Sequence, residues 1–464
     1  MTADFIAFHA AERPTAVAFV HRGHSVTYAE FSRDIRKFTR GLRALGLPRG
    51  SHVAVGCTDS YLHWLLLLAC EQLGLATAPF LGDEGPRCAP LLASVDLVLS
   101  EPHYPNQGAR RHFAITPDWI DGVLALPDGG PEPALPKAPD DLLRIVRTSG
   151  TTGASKRFLV TRRMHDSLSA QWIWAFGLTA RARYLLTLPF VVRAVYDLGT
   201  ACLRMGGTIV SDNRASVPDA LTSHAVTHAI FLPINLKTLL DQLPPGFAKP
   251  RDLMILSFGA AVSRALRERA TQRLATALCD LYGTVEVAAI CTAWRHDPEG
   301  FGTLWPLVQV EVLDERGAPA PPGTIGPIRV KTACMSESYL DDPETTQRMF
   351  RDGWFHPGDI GVLQPGRRLR ILGRVDDLLN IGGTKYAPPL LEELLVNQEL
   401  ADDLAVCSLQ NADGIEELCV AVSEPKYDVK EFQQRVMAAF GHIQTERVYV
   451  VKLPRQYLPT SALS

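Results

Sequence analysis

The sequence predicts an α/β protein with a large layered N-terminal α/β domain of several subdomains and a small α+β C-terminal domain. The chain has 464 residues, of which 46% are hydrophobic, so it is too long for one ordinary core and apolar enough to bury several. Strand-like apolar runs alternate with helical patterns along most of its length. After Arg374, about ninety residues carry a separate, shorter set of elements.

The N-terminal part shows the alternation of strand and helix signals directly. Residues 16–20, 52–56 and 97–99 are short apolar runs typical of strands. Thr27 and Glu30 have capping-box spacing, so a helix is predicted to begin there. Its apolar positions recur on one face, which is assigned to the core: Phe31, Ile35, Phe38, Leu42 and Leu45.

Two later strands lead into segments suited to ligand contact. A Pro- and Gly-rich connector at 127–139 precedes the strand-like run 142–146, which leads into a loop rich in hydroxyls. The strand-like run 253–257 leads into residues 258–261, where small side chains would let a flat ligand lie against the backbone.

The C-terminal part reads as a small α+β unit. Residues 390–395 and 429–440 have helical patterns, with Asp428 as a plausible N-cap of the second helix. Residues 404–407 and 418–422 are strand-like.

Composition and charge exclude several classes of function. The net charge is −3 at pH 7 and the basic residues are dispersed, so nucleic acid is not an expected partner. The longest apolar run, 64–70, is far shorter than the ~20 residues that span a bilayer, so no membrane span is expected and a buried helix is predicted. Nine cysteines without a CxxC pair favour reduced thiols in a cytoplasmic protein.

The run 147–156, RTSGTTGASK, combines hydroxyls, two glycines and a lysine. Gly150 and Gly153 permit backbone conformations in which N–H groups converge on an anion. Two residues separate these glycines and Arg157 follows Lys156, so the run is not a Walker A loop. The candidate phosphate-binding residues are Thr148, Ser149, Gly150, Thr151, Thr152, Gly153 and Lys156.

Three later blocks favour phosphate binding over an ordinary solvated loop. They are 282–286 (YGTVE), 354–359 (WFHPGD) and 373–385 (GRVDDLLNIGGTK). Together with the hydroxyl-rich run, and in this order, they resemble the acyl-adenylate-forming superfamily of acyl-CoA synthetases, aryl-CoA ligases, nonribosomal peptide adenylation domains and luciferases. The resemblance covers nearly the whole chain. It implies ATP-dependent activation of a carboxylic acid to an acyl-AMP with release of pyrophosphate, then transfer to the thiol of CoA or of carrier-protein phosphopantetheine.

The resemblance also implies roles for individual residues. Glu286 would bind Mg²⁺, for which a carboxylate is a suitable ligand, and Thr148, Lys156 and Lys385 would act with it at the phosphates. Asp359 would accept hydrogen bonds from both ribose hydroxyls. The remaining nucleotide contacts would come from Arg374 at the sugar, Tyr282 against the adenine, and Gly259, Ala260, Ala261, Gly283 and Thr284.

Two positions depart from the family pattern. The family usually has a threonine directly before the metal-binding glutamate, as a donor to the α-phosphate, whereas this chain has Val285 there. Either Thr284, one place earlier, substitutes for it or one donor is missing. The family's adenylation lysine near the C-terminus has no counterpart, and the closest match, 458–464, would place it just after Ser464. We therefore expect the lysine beyond that residue, the alternative being a family member without it.

The resemblance further predicts domains at 1–374 and 377–464, joined by a hinge at 375–376. Asp376 matches the hinge residue about which the mobile small domain rotates between adenylation and thioester formation. Gly382 and Gly383 would let the pantetheine arm reach the site.

The acid-binding pocket is expected to be mostly apolar. Amino-acid-activating relatives carry an aspartate near the position of Arg193, and none is adjacent to it here, which argues against an α-amino acid. Arg193 would either pair with an anionic or polar substituent or be a structural arginine. The expected substrate is a medium-sized aromatic or aliphatic carboxylic acid. The residues predicted to line the pocket are Val192, Arg193, Phe231, Phe258 and Val287.

Two other functions remain open from the sequence. An adenylating enzyme could hand the acyl group to a nitrogen nucleophile, and acid-dependent AMP formation without a thiol would favour that reading. A protein without the lysine and with Val285 could bind the nucleotide or acyl-adenylate without turnover.

Overall fold

The computed structural model describes residues 1–130, 138–148, 155–381, 384–398, 400–401, 404–410, 416–423, 425–441 and 448–452. Two short 3₁₀ helices, Gly82–Cys88 and Val375–Asp377, accompany the α-helices and strands. The α-helices are α1 Thr2–Glu12, α2 Tyr28–Arg43, α3 Ser60–Gln72, α4 Ala89–Ser94, α5 Pro117–Leu124, α6 Arg162–Phe176, α7 Arg193–Arg204, α8 Val217–Ser223, α9 Pro233–Gln242, α10 Arg264–Arg273, α11 Pro343–Met349, α12 Pro388–Asn397 and α13 Val429–Ala439.

The strands are distributed over the whole described chain. In order they are β1 Val17–His21, β2 His24–Thr27, β3 His52–Gly56, β4 Ala76–Pro79, β5 Leu97–Ser100, β6 His112–Ala114, β7 Leu142–Arg147, β8 Arg157–Thr161, β9 Arg183–Leu185, β10 Thr208–Ser211, β11 His228–Phe231, β12 Met254–Phe258, β13 Ala277–Thr284, β14 Ala288–Ala293, β15 Gly302–Leu304, β16 Gln309–Val312, β17 Ile325–Lys331, β18 Phe350–Arg351, β19 Trp354–Phe355, β20 Asp359–Gln364, β21 Arg368–Arg374, β22 Leu379–Ile381, β23 Thr384–Tyr386, β24 Leu404–Gln410, β25 Glu416–Val422 and β26 Val448–Lys452.

Two large sheets form the framework of the N-terminal part. The six-stranded sheet has the order β6-β5-β3-β4-β7-β8, with every pair parallel except β7–β8. The second sheet has 15 strands in the order β18-β19-β17-β20-β21-β15-β14-β13-β12-β11-β9-β10-β1-β2, with β16 paired to β17. From β13 to β1 along this order the pairs are parallel. The carboxyl ends of these parallel strands therefore share one edge, where open α/β sheets bind ligands.

Helices cover the 15-stranded sheet on both faces. The largest core contains residues of α1, α2, α3, α6 and α7 together with strands of both sheets. A second core packs α8, α9 and α10 against the opposite face of the parallel strands. The predicted layered α/β fold is confirmed, because a parallel sheet buried on both faces between helices is its defining arrangement.

The predicted helix at Thr27 illustrates how local sequence sets an element. Thr27 accepts a hydrogen bond from the Glu30 backbone N–H, and the Glu30 carboxylate accepts one from the Thr27 N–H, which completes the capping box. Of the five apolar positions predicted for the core, Phe31, Ile35, Phe38 and Leu42 are buried there, and Leu45, just beyond the end of the helix, is partly buried against the same core.

The C-terminal part has a core of its own. β24, β25 and β26 form a three-stranded sheet, and β22 pairs with β23. Leu391, Leu395 and Phe432 of α12 and α13 are among the buried residues that pack on it. Asp428 caps α13 as predicted, accepting from the backbone N–H groups of Lys430 and Glu431. No described helix is both long and apolar enough to cross a membrane.

Candidate active site

Two adjacent parallel strands, β12 and β13, deliver the first group of predicted nucleotide contacts to the carboxyl edge. Phe258 lies opposite Leu281 in their register, so residues 259–261 and 282–284 follow at the same edge. Gly259 has φ = +90°, a conformation that favours glycine, and a Cβ there would come within 3.1 Å of Leu232 Cδ2. Residues 259–261 therefore form a short segment of small side chains beside Tyr282.

Tyr282 contacts Asp359, which lies 77 residues later in the chain. The Tyr282 hydroxyl donates a hydrogen bond to the Asp359 carboxylate, whose residue is 8% exposed. Burial raises the pKa of Asp359, although the hydrogen bond from Tyr282 and the charge of Arg374 oppose the shift. Arg374 lies opposite Asp359 in the β20–β21 pair and donates to the Pro357 carbonyl. The structure thus brings together the three residues predicted for adenine and ribose.

A tight turn between β13 and β14 positions Glu286. A Cβ at Gly283 would lie 2.1 Å from the Ala288 carbonyl oxygen, so no other residue fits without a shift of the backbone. Ala288 itself has φ = +63°. Glu286 is 8% exposed, and its Oε1 accepts a hydrogen bond of 2.7 Å from the Tyr339 hydroxyl. A carboxylate fixed in this way is a suitable ligand for a hard cation such as Mg²⁺.

The base of the hydroxyl-rich loop lies beside the Glu286 turn. Thr148 and Lys156 continue the β7–β8 pair, with the Thr148 N–H donating to the Lys156 carbonyl at 2.9 Å and the Lys156 N–H to Thr148 Oγ1 at 3.2 Å. Lys156 Nζ lies 5.3 Å from the centre of the Tyr339 ring, the same ring that donates to Glu286. The predicted loop residues Ser149, Gly150, Thr151, Thr152 and Gly153 lie outside the described residues.

Sequence reasoning missed the ion pair that anchors this loop. Arg147 donates from both terminal nitrogens to the Glu84 carboxylate, at 2.6 and 2.7 Å. Burial alone would raise the pKa of Glu84, but the hydrogen bonds and charge of Arg147 outweigh it and the pKa is lowered. The two residues are 63 positions apart, so no local pattern signals the pair.

A buried ion pair lies at the start of α7, next to the turn that holds Glu286. Arg193 Nε is 3.2 Å from Asp197, which also lies 3.5 Å from His165 Nδ1. Burial opposes ionisation of Asp197, yet His165 and Arg193 lower its pKa, while burial lowers the pKa of His165. Arg193 Nη1 donates to the carbonyl of Val285, the residue before Glu286, at 2.5 Å. Asp197 is one helical turn from Arg193 and not adjacent to it in sequence, so the pair was not predicted.

Three of the apolar residues predicted for the acid pocket border the first core, and one does not. Val192 and Phe258 pack against this core and Val287 is buried in it. Phe231 is buried in the second core, whereas its neighbour Ile230 is in the first. Successive side chains of a strand point to opposite faces, so Phe231 and Ile230 lie on opposite faces of the sheet, and the assignment of Phe231 to the acid pocket stays a prediction.

Residues of β20 and β21 in the large domain contact residues of the small domain. Ile360 and Leu372 of β20 and β21 form a small buried cluster with Ala387, and Arg370 forms an ion pair with Glu393 of α12. Asp376 is exposed in the 3₁₀ helix after β21. Lys385 is exposed on β23, opposite Asn380. Gly382 and Gly383 lie outside the described residues.

Comparisons with known proteins identify the family of the chain. Residues 6–87 and 88–340 match the family described as AMP-binding enzyme. A feruloyl-CoA synthase of Amycolatopsis sp. is 28% identical over 404 residues, covering 82% of this chain and 80% of that protein. The fatty acid–[acyl-carrier-protein] ligase ScoC of Streptomyces coeruleorubidus is 26% identical over 422 residues, covering 84% of this chain and 80% of that protein. The crystal structure of ATP-bound MatB from Rhodopseudomonas palustris superposes with a TM-score of 0.81 at 22% identity, covering 98% of this chain and 95% of that chain.

The family match extends over most of the chain and includes the residues around Thr148, Lys156, Tyr282 and Glu286. The named relatives are ligases that join an acid to a thiol carrier. The chain therefore belongs to the AMP-binding enzyme family, as an ATP-dependent, AMP-forming acid:thiol ligase.

Proposed function

We propose that two carboxylates and one lysine of the described site make the main charged contacts to the ribose, the phosphates and Mg²⁺ during adenylation. Asp359, with Arg374, would hold the ribose, and Tyr282 and residues 259–261 would hold the adenine. Thr148 and Lys156 would hold the β- and γ-phosphates. Glu286 would bind Mg²⁺, which offsets the charge that develops on the phosphoryl oxygens. The contact between Tyr282 and Asp359 beside Glu286 is the observation that carries this assignment.

The reaction begins with two anions that repel each other, the acid's carboxylate and the α-phosphate of ATP. A carboxylate oxygen attacks the α-phosphorus, the bond to the bridging oxygen breaks, and pyrophosphate leaves with the bonding electrons. The nucleotide contacts lower the activation barrier by positioning the two reactants. Fixed hydrogen-bond donors lower it further by stabilising the charge of the transition state. The acyl-AMP then loses AMP to an attacking thiolate.

The acid would be a medium-sized aromatic or aliphatic carboxylic acid. Val192, Phe258 and Val287 give an apolar lining next to the site. Asp197 would not serve to bind an α-ammonium group, because it is buried and already engaged by Arg193 and His165. The relatives named for feruloyl and fatty acyl substrates fit the same class.

The acceptor would be the thiol of CoA or of a carrier protein, the latter suggested by the carrier-protein ligase among the relatives. Rotation about Asp376 would carry Lys385, Gly382 and Gly383 to the site for this second step. We also propose a cytoplasmic location, where ATP and CoA are available.

The test is acid-dependent release of pyrophosphate from ATP, measured over a panel of aromatic, aliphatic and amino acids. The expected result is release with apolar acids and formation of a thioester when CoA or a phosphopantetheinylated carrier is added. Asp359→Asn should weaken ATP use, whereas Asp241→Asn, at an exposed carboxylate paired with Lys237 and Arg269, should not. AMP formation that needs an amine and no thiol would favour a nitrogen acceptor, and AMP binding without turnover would contradict the proposal.

A further inference from the structure

Arg193 has one donor nitrogen with no partner in the described structure. The residue is only 7% exposed, and its Nε and Nη1 bind Asp197 and the Val285 carbonyl. Nη2 is buried and has no hydrogen-bond partner among the described residues. A guanidinium N–H withdrawn from water without an acceptor is unfavourable, so a ligand oxygen is the expected partner.

A second unpartnered donor belongs to Thr284, the residue before Val285. The hydroxyl of Thr284 is also buried and without a hydrogen-bond partner among the described residues. Thr284 and Arg193 thus flank Val285, directly before the candidate metal ligand Glu286. Two buried donors without partners thus belong to residues next to Val285, the position where the family pattern places a single threonine hydroxyl.

The surroundings favour an anion over a neutral ligand. Arg144 is buried nearby, 3.7 Å from the centre of the Tyr196 ring, and the positive charges of Arg144 and Arg193 repel each other. Asp197 is the only carboxylate in direct contact with Arg193 within the described residues, and it is shared with His165. A guanidinium binds a phosphate or carboxylate oxygen more strongly than a hydroxyl does.

We propose that Arg193 binds an anionic oxygen at the adenylation centre and replaces the donor that the chain lacks at Val285. The oxygen belongs either to the α-phosphate or to the attacking carboxylate, which meet at this point. Arg193 keeps its proton throughout: the new bond joins the carboxylate oxygen to the α-phosphorus, and pyrophosphate carries away the electron pair of the broken bond. The inference rests on the proposed function of the site.

The test compares Arg193 variants that leave the net charge of the Arg193–Asp197 pair unchanged. Removal of Arg193 alone would leave Asp197 buried without its cation, so the main variant is the double substitution Arg193→Gln with Asp197→Asn. Arg193→Lys keeps the charge without the forked geometry. The matched control is Arg267→Gln, because Arg267 is equally buried and also donates to backbone carbonyls, those of Leu278 and Ala293, outside the site. Unfolding temperatures identify variants that fail to fold.

Two readouts distinguish the source of the oxygen. If it belongs to the α-phosphate, the ratio of the affinities for AMP and adenosine, measured by calorimetry, should be at least tenfold lower in the double variant than in the wild type. The kcat for pyrophosphate release should then also fall about 10²–10³-fold. If it belongs to the acid, the AMP preference should stay and KM for the acid should rise at least tenfold. Arg193→Lys should fall between wild type and the double variant in either case.

A folded double variant with unchanged nucleotide preference, kcat and acid KM would overturn the inference and leave Arg193 a structural residue. So would an Arg267→Gln control with the same losses, because the effect would then be general. Failure of the proposed function is a separate result: the wild-type protein itself would release no pyrophosphate and would not prefer AMP to adenosine.

Discussion

The two acidic residues of the site, Asp359 and Glu286, are equally buried and each accepts a hydrogen bond from a tyrosine, but they are held differently. Asp359 is the first residue of β20 and is fixed by the register of a sheet. Glu286 lies in a turn that depends on Gly283 and on Tyr339, whose ring also neighbours Lys156. Asp359 thus owes its position to the sheet, whereas Glu286 shares Tyr339 with Lys156 at the base of the hydroxyl-rich loop.

The largest expected effect comes from Glu286→Gln. An amide keeps the shape but removes the charge that Mg²⁺ requires, so kcat/KM for pyrophosphate release should fall about 10²–10³-fold. Adenosine affinity should stay unchanged, because Asp359 is untouched. Kinetics over a Mg²⁺ series checks the prediction, with Glu299→Gln at an exposed position as control. A loss of adenosine affinity would break the distinction between the two carboxylates.

Asp359→Asn should have the next largest effect, confined to the sugar. A hydrogen bond to a charged group is worth about 1.5–3 kcal/mol, so KM for ATP should rise about 10- to 100-fold while the Mg²⁺ dependence stays as in the wild type. Calorimetry with adenosine and 2′-deoxyadenosine checks the assignment. If the variant discriminates the two nucleosides as the wild type does, Asp359 does not bind the 2′-hydroxyl.

Lowering the pH should weaken adenosine binding by protonating Asp359. Burial raises the pKa of Asp359, so this carboxylate takes up a proton at a higher pH than an exposed aspartate does, and it then loses acceptor capacity for the ribose. Affinity for adenosine should therefore weaken as the pH falls through that raised pKa and be constant above it. The dependence should be absent in Asp359→Asn, and its persistence there would assign the titration to another group.

The smallest effects should come from the tyrosines, at about 1 kcal/mol each. Tyr282→Phe removes a hydrogen bond that lowers the pKa of Asp359, so the acid limb of adenosine binding should move to higher pH. Tyr339→Phe should leave that limb in place and raise the Mg²⁺ concentration needed for half-maximal rate a few-fold. Identical responses of the two variants would contradict the separation of the two carboxylates.

Much of the fold could be predicted from the sequence because its signals are local. The capping box at Thr27, the apolar face that follows it and the N-cap at Asp428 depend on residues within one or two helical turns. The order of the motif blocks likewise placed Tyr282 and Asp359 in one site, which their hydrogen bond supports.

The features that the sequence did not reveal are contacts between distant residues and the face of the sheet on which a side chain lies. Phe231 lies in a strand buried on both faces, so no alternation of polar and apolar residues reveals which core it joins. Glu84 and Arg147 meet only because the chain returns to the same sheet edge. Asp197 was within reach of a helical-spacing argument, since i and i+4 residues share a face.

The contact between the two domains sets an energy scale for their separation. Among the described residues it contains a small apolar cluster around Ile360, Leu372 and Ala387 and an ion pair between Arg370 and Glu393. Burial of a few apolar side chains is worth on the order of a few kcal/mol, and an ion pair adds about 1 kcal/mol or less. If the domains rotate as proposed, a ligand that prefers one arrangement about 10²- to 10⁴-fold would supply as much free energy and would shift the equilibrium between the arrangements.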